Sequence, residues 1–116
     1  MAVLPVIDHQ VLKTLKDYSS PDEDLIKILL TDYKSTYSQV VTQLTIDFKN
    51  KNLTAFSDQA HALKSISSAL GMARVQSLCE SLEETTSFTD VMPAQLQQLP
   101  FLICEALDEL SLLKPS

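Results

Sequence analysis

Residues 60–71 read AHALKSISSALG. At about 100° per residue, a helix through this stretch and back to Leu53 sets Leu53, Phe56, Ala60, Leu63, Ser67 and Leu70 on one face. Their spacing of 3, 4, 3, 4 and 3 predicts a helix buried along one side in a bundle. The opposite face carries Thr54, Ser57, His61, Lys64, Ser65 and Ser68. A solvated helix face usually holds long charged side chains, with Glu and Lys four apart. This face is low and polar, with one imidazole standing on it and a lysine one turn further on. It reads as a face kept clear for another surface to approach.

The sequence on either side extends the same pattern. A first helix is expected over about Val6 to Tyr18, with Ile7, Val11, Leu12 and Leu15 as its stripe. A second has Ser20 as a candidate cap, Pro21 suited to a first turn, and Asp22, Glu23 and Asp24 at the positive helix end. Its stripe of Ile26, Leu29, Leu30, Tyr33, Tyr37, Val40, Leu44 and Phe48 implies about seven turns. Asn52 can cap the helix that carries His61, and Gly71, the single glycine of the chain, can end it in the left-handed conformation. A fourth helix begins near Met72, with Val75, Leu78, Cys79 and Leu82 as its stripe. TTSFTDVMP is the main loop, and a last helix spans about Pro93 to Leu113 with Leu96, Leu99, Ile103, Leu107 and Leu110 inward. Pro100 must kink that helix or mark a second start. Helices of this length with short connections predict an all-α fold, an up-down antiparallel four-helix bundle with an additional N-terminal helix. A chain of 116 residues, 45% hydrophobic, suits one domain over 1–116, with the bundle over about 20–113.

The net charge is −6. Residues 1–74 hold eight acids and eight bases, whereas residues 75–116 hold seven acids and only Lys114. The acidic balance argues against nucleic acid as a partner. Lys49, Lys51, Lys64 and Arg74 flank the His61 helix, so the face around it is expected to be neutral to mildly positive. No apolar run approaches the roughly 20 residues of a membrane span, so no membrane insertion is expected. MAVLPVID lacks the basic start of a signal peptide, which with the thiol content predicts a cytoplasmic protein. Cys79 and Cys104 both lie on apolar stripes and are expected to be buried free thiols.

An exposed imidazole titrates near ~6.5 and is largely neutral in a cell. Neutral imidazole is a nucleophile that can take a phosphoryl group on a ring nitrogen and pass it on. Lys64, at i+3 on the same face, can offset part of that group's charge. Ser65 and Ser68 leave room for a partner's active site. Phosphoryl transfer needs in-line approach and electrostatic support more than elaborate protein chemistry. One glycine excludes a phosphate-cradling Gly-rich loop, so the chain is expected not to be an autonomous kinase or ATP-binding enzyme. His9, His61, Cys79 and Cys104 lack metal-ligand spacing, and no metal is expected. A hydrolase using His61 and a serine is a further reading, and it predicts a concave pocket beside the histidine.

The His61 stretch resembles the histidine-containing phosphotransfer (HPt) domains of two-component phosphorelays. That family reads roughly H-x-L-K-G-x-S-x-x-L-G, then an apolar residue, Cys and Leu-Glu further on. Here His61, Leu63, Lys64, Ser65, Ser67, Leu70 and Gly71 are followed by Val75, Cys79, Leu82 and Glu83. The resemblance implies that His61 is phosphorylated and that Lys64 stabilises the phosphoryl group. It implies as partners the receiver domains of a hybrid histidine kinase and of a response regulator, with Mg²⁺ bound on the receiver and no cofactor on this chain. Ser57, Ser65 and Ser68 would lie on the docking face. A monomer is expected, and the initial Met and short tails favour a standalone protein over a kinase's C-terminal domain. Ser65 stands where the family usually has glycine on the docking face. That departure keeps open a second reading, an interaction module that docks receivers without carrying phosphate.

Overall fold

The structure, a computed structural model, describes residues 4–20 and 24–112. Its helices are α1 (His9–Tyr18), α2 (Leu25–Lys49), α3 (Leu53–Ala69), α4 (Ala73–Glu83) and α5 (Met92–Ser111). Three of them start where a short polar side chain accepts from the first free N–H groups. Asp8 accepts from the Gln10 amide at 3.0 Å, Asp24 from Lys27 at 3.2 Å and Asn52 from Ala55 at 3.2 Å. The Asp8 cap sets the start of α1 at His9 rather than Val6. Ser20 does not cap α2; Asp24 does. Ser19 bridges the two helices instead, accepting from the Leu25 amide and donating to the Leu15 carbonyl. The expectations for Pro21, Asp22 and Glu23 lie outside the described residues.

Helices α2 to α5 form the antiparallel bundle. The 25 residues of α2, about 37 Å at 1.5 Å per residue, run along most of the 47 Å long axis. The core is built from the expected stripes: Tyr33 and Leu44 of α2, Phe56, Ala60 and Leu63 of α3, Val75, Cys79 and Leu82 of α4, and Leu96, Leu99, Ile103 and Leu110 of α5 are buried. Phe88, from the loop before α5, sets its ring edge-on to Phe48 and Phe56, each with centroids 5.4 Å away. The serine in the α3 seam has a physical reason. Ser67 is fully buried and its hydroxyl bonds the Tyr33 hydroxyl at 3.0 Å, so neither polar group is left unpaired in the core. Burial there also drives the Tyr33 phenol well above its ordinary range.

Gly71 has φ +71° and closes α3 with a pair of reversed bonds, Met72 N–H to Ser67 carbonyl and Gly71 N–H to Ser68 carbonyl, both 3.0 Å. The N-terminal segment lies against this corner, with the Asp8 amide donating to the Gly71 carbonyl at 2.7 Å. Helix α1 packs on α2, and His9 reaches Glu109 of α5 at 3.3 Å.

Of the two alternatives for Pro100, the second start is not what forms: α5 runs continuously through it, and the proline sits on the exposed side. One expectation about α5 changes. Cys104 is exposed, not buried. It follows buried Ile103 by one residue, a rotation of about 100°, which turns it out beside Phe101, itself 79% exposed. Among the described residues no helix is long and apolar enough to cross a membrane.

Candidate functional site

His61 stands in the middle of α3 with its side chain 61% exposed. Its Nδ1 lies 2.6 Å from Oε1 of Glu83, the last residue of α4. The other oxygen of the same carboxylate, Oε2, lies 2.6 Å from Lys64 Nζ. One carboxylate therefore holds both polar groups that the α3 face presents. The Ser57 hydroxyl donates to the Glu83 carbonyl at 3.0 Å and fastens the end of α4 to α3.

The charges settle the tautomer. The Lys64 ammonium, with a smaller contribution from His61, holds the Glu83 carboxyl below its ordinary value, and Glu83 in turn raises Lys64. An ionised carboxylate can only accept, so in the neutral ring Nδ1 carries the hydrogen and donates it to Glu83. The lone pair is then on Nε2, the nitrogen that Glu83 leaves free.

Each sequence-predicted residue has a definite place. Lys64 is half-buried beside His61. Ser65 is exposed and turns its hydroxyl back to the His61 carbonyl at 3.1 Å; Ser68 does the same to the Ser65 carbonyl at 3.0 Å. Ser57 is half-buried and committed to α4. No serine hydroxyl bonds the imidazole among the described residues, and His61 lines neither the cleft beside the start of α3 nor the one on α5. The hydrolase reading, which needs both, is not met. Among the described residues no three His, Cys, Asp or Glu side chains are grouped to hold a metal ion.

The face is not neutral to mildly positive. Lys64 lies in the field of Glu80, Glu83 and Glu84, all from the last turns of α4. Arg74 is turned away, bonding Glu105 at 3.0 Å and the Leu4 carbonyl at 2.9 Å. The antiparallel α3–α4 hairpin brings the acidic end of α4 beside His61 and carries Arg74 to the opposite end.

Glu83 is the residue to which the sequence reading gave no role. A signal for it exists. His61 lies 10 residues before Gly71 and Glu83 lies 12 after it. In a helical hairpin, residues about equally far from the turn lie side by side.

The Hpt domain family model matches residues 28–112, well over half of the chain. The fold is shared with the crystal structure of histidine-containing phosphotransfer protein B (HptB) from Pseudomonas aeruginosa PAO1. The TM-score is 0.81 over 94% of each chain, at 20% sequence identity. Among curated proteins, none matches this sequence significantly.

Proposed function

We propose that this chain, which belongs to the Hpt domain family, is a phosphorelay intermediate that accepts a phosphoryl group on Nε2 of His61. The donor is the phosphoaspartate of one receiver domain and the acceptor is the aspartate of another. The observation that carries this reading is the Glu83 contact at 2.6 Å, which occupies Nδ1 and leaves the Nε2 lone pair on an exposed face. The N–P bond forms as the P–O bond to the donor aspartate breaks, and that aspartate leaves as a carboxylate. Onward transfer is the reverse step on the second receiver. Nδ1 keeps its hydrogen throughout, so the transfer needs no separate base on this chain.

Lys64 is the group that offsets the charge of the phosphoryl oxygens, moving from Oε2 of Glu83 toward them. The receiver brings the Mg²⁺ and the aspartate. The two receivers belong to a hybrid histidine kinase and a response regulator, and this chain meets them in the cytoplasm as a monomer. It serves as carrier and not as kinase. Ser57, Ser65 and Ser68 belong to the docking face, and Ser65, with its hydroxyl folded back onto α3, adds little bulk there.

The test is incubation with phosphorylated receiver domains and Mg²⁺, following acid-labile, base-stable phosphate on this chain. Wild type takes the label. His61→Gln takes none and keeps its helicity and melting temperature, because the side chain it replaces is exposed. Label persisting on His61→Gln refutes the site. Binding of receivers to wild type without any label would make this a docking module.

A further inference from the structure

We infer that Ser57 is a positioning residue for the transfer: its hydroxyl, acting through Glu83, decides which nitrogen of His61 carries the hydrogen. The inference rests on the phosphotransfer reading above and gives Ser57 a part in it beyond a place on the docking face.

The serines of that face use their hydroxyls differently. Ser65 and Ser68 turn theirs back onto carbonyls of α3. Ser57 reaches across to α4 and donates to the Glu83 carbonyl at 3.0 Å, a bond between residues 26 apart in sequence. That acceptor differs from its neighbours in the last turn of α4. The Glu80 and Leu82 carbonyls accept from the amides of Glu84 and Thr85, and the Ser81 carbonyl accepts from the Thr85 hydroxyl. Those bonds close the helix end on itself and do not relate it to α3. The Glu83 carbonyl is left over as the chain departs from the helix, and among the described residues the Ser57 hydroxyl is its one partner.

Successive turns of α3 thus hold one residue of α4. Ser57 takes the backbone of Glu83, His61 takes one carboxylate oxygen and Lys64 the other. A glutamate side chain rotates about three bonds, and holding it in one geometry costs rotamer entropy. Fixing its backbone restricts where its oxygens can be, so that both meet their partners together. Without the Ser57 hydroxyl the Glu83 carbonyl turns to water and the end of α4 is released from α3. Lys64, long and fully charged, follows the carboxylate. The imidazole sits on a short side chain in the middle of α3 and does not follow, so the Nδ1 contact is the one that lengthens. A histidine ring without a partner places its hydrogen mainly on Nε2, which removes the lone pair that accepts the phosphoryl group. Ser57 therefore reaches the chemistry through Glu83, although its hydroxyl does not bond the imidazole.

The experiment compares wild type, Ser57→Ala and Ser57→Thr, all well below their melting temperatures. Nitrogen NMR of the His61 ring, recorded with the imidazole neutral, reads the tautomer. Labelling is followed from two donors: phosphoramidate, which is too small to cover the docking face, and a phosphorylated receiver domain with Mg²⁺. Wild type carries the ring hydrogen on Nδ1. In Ser57→Ala the hydrogen shifts toward Nε2, and both donors label about threefold more slowly. Ser57→Thr keeps the hydroxyl and with it the wild-type tautomer. A Ser57→Ala protein with the wild-type tautomer overturns the inference, and slowing with the receiver alone would then leave Ser57 as a docking residue. A shifted tautomer with unchanged labelling overturns it as well. So does a Ser57→Thr tautomer that matches alanine, because the hydroxyl would not be what counts. Wild type labelled by neither donor removes the phosphotransfer reading itself, and the tautomer still decides whether Ser57 positions the imidazole.

Discussion

Replacing Gly71 with alanine measures how the corner between α3 and α4 is held. At φ +71° an L-residue with a Cβ is strained by about 1–2 kcal/mol relative to glycine. The added Cβ would also lie 2.7 Å from the Asp8 carbonyl oxygen and 3.2 Å from Val11 Cβ. The first of these is a backbone atom with no rotamer to swing, so the N-terminal segment has to move off the corner. That movement loosens the bond from the Asp8 amide to the Gly71 carbonyl, 2.7 Å long and worth about 0.5–1.5 kcal/mol. The two effects come to roughly 1.5–3.5 kcal/mol, a large share of the 5–15 kcal/mol typical of a domain. At about 4 °C per kcal/mol for a chain of this length, the melting temperature falls by roughly 6–14 °C.

Urea denaturation followed by far-UV circular dichroism gives the number. Gly71→Asn divides it. Asparagine tolerates the left-handed region but has the same Cβ, so it keeps the clash and relieves much of the strain. Its stability falls between wild type and alanine. A Gly71→Ala protein within about 0.5 kcal/mol of wild type refutes the account. An asparagine variant equal to wild type removes the Asp8 contact from it. Phosphate acceptance at His61, far along α3, survives in both variants below their melting temperatures.

The two thiols separate by exposure: in the native protein Cys104 reacts with an aromatic disulfide reagent, whereas Cys79, buried and pushed up to about 12, reacts only on unfolding. Two fast thiols in the native state would contradict the orientation of α4. The Glu83–Lys64 contact gives a pH signature. Lys64 depresses the Glu83 carboxyl, so its stabilisation is fully present above the unfolded value of about 4.3 and is lost as pH falls through the lower folded value. Lys64 is raised, so its share is fully present below about 10.4 and is lost as pH rises through its higher folded value. The melting-temperature difference between wild type and Glu83→Gln therefore holds across neutral pH and closes at both ends. A difference that grew in acid would mean that Glu83 is not the depressed partner.

What could be read from the sequence was what one helix encodes by itself. The seam from Leu53 to Leu70 places its own buried face, and the single glycine places its own turn, so the bundle and the exposure of His61 follow from residues within a few positions of each other. Boundaries were less secure where several residues compete. Ser20, Asp22 and Asp24 all offer an oxygen ahead of α2, and Asp24 wins because it stands one residue before Leu25, within reach of the Lys27 amide. Cys104 sits among apolar neighbours in α5, which hides its exposure in the sequence, and a one-residue step is enough to leave the buried face. The charge of the His61 face was illegible for a different reason. It depends on which end of α4 lies beside α3, so bases near in sequence, such as Arg74, end up remote while acids some 20 residues away arrive.

That same hairpin explains why the acids belong there. A lysine alone beside His61 would present a free cation to an incoming phosphoryl group and hold it firmly. Glu83 changes the balance, since its Oε1 accepts from Nδ1 while its Oε2 competes for Lys64. In the proposed relay the first contact presents the Nε2 lone pair to the donor, and the second limits how tightly the product is held. Glu80 and Glu84, acting on the same lysine, push in the same direction. A phosphohistidine that is formed readily but not bound tightly can transfer either way, with direction set by the receivers. In the proposed relay, the carboxylate that fixes the tautomer is thus also the group that keeps the phosphoryl group transferable, and it reaches Nδ1 and Nζ together from the neighbouring helix.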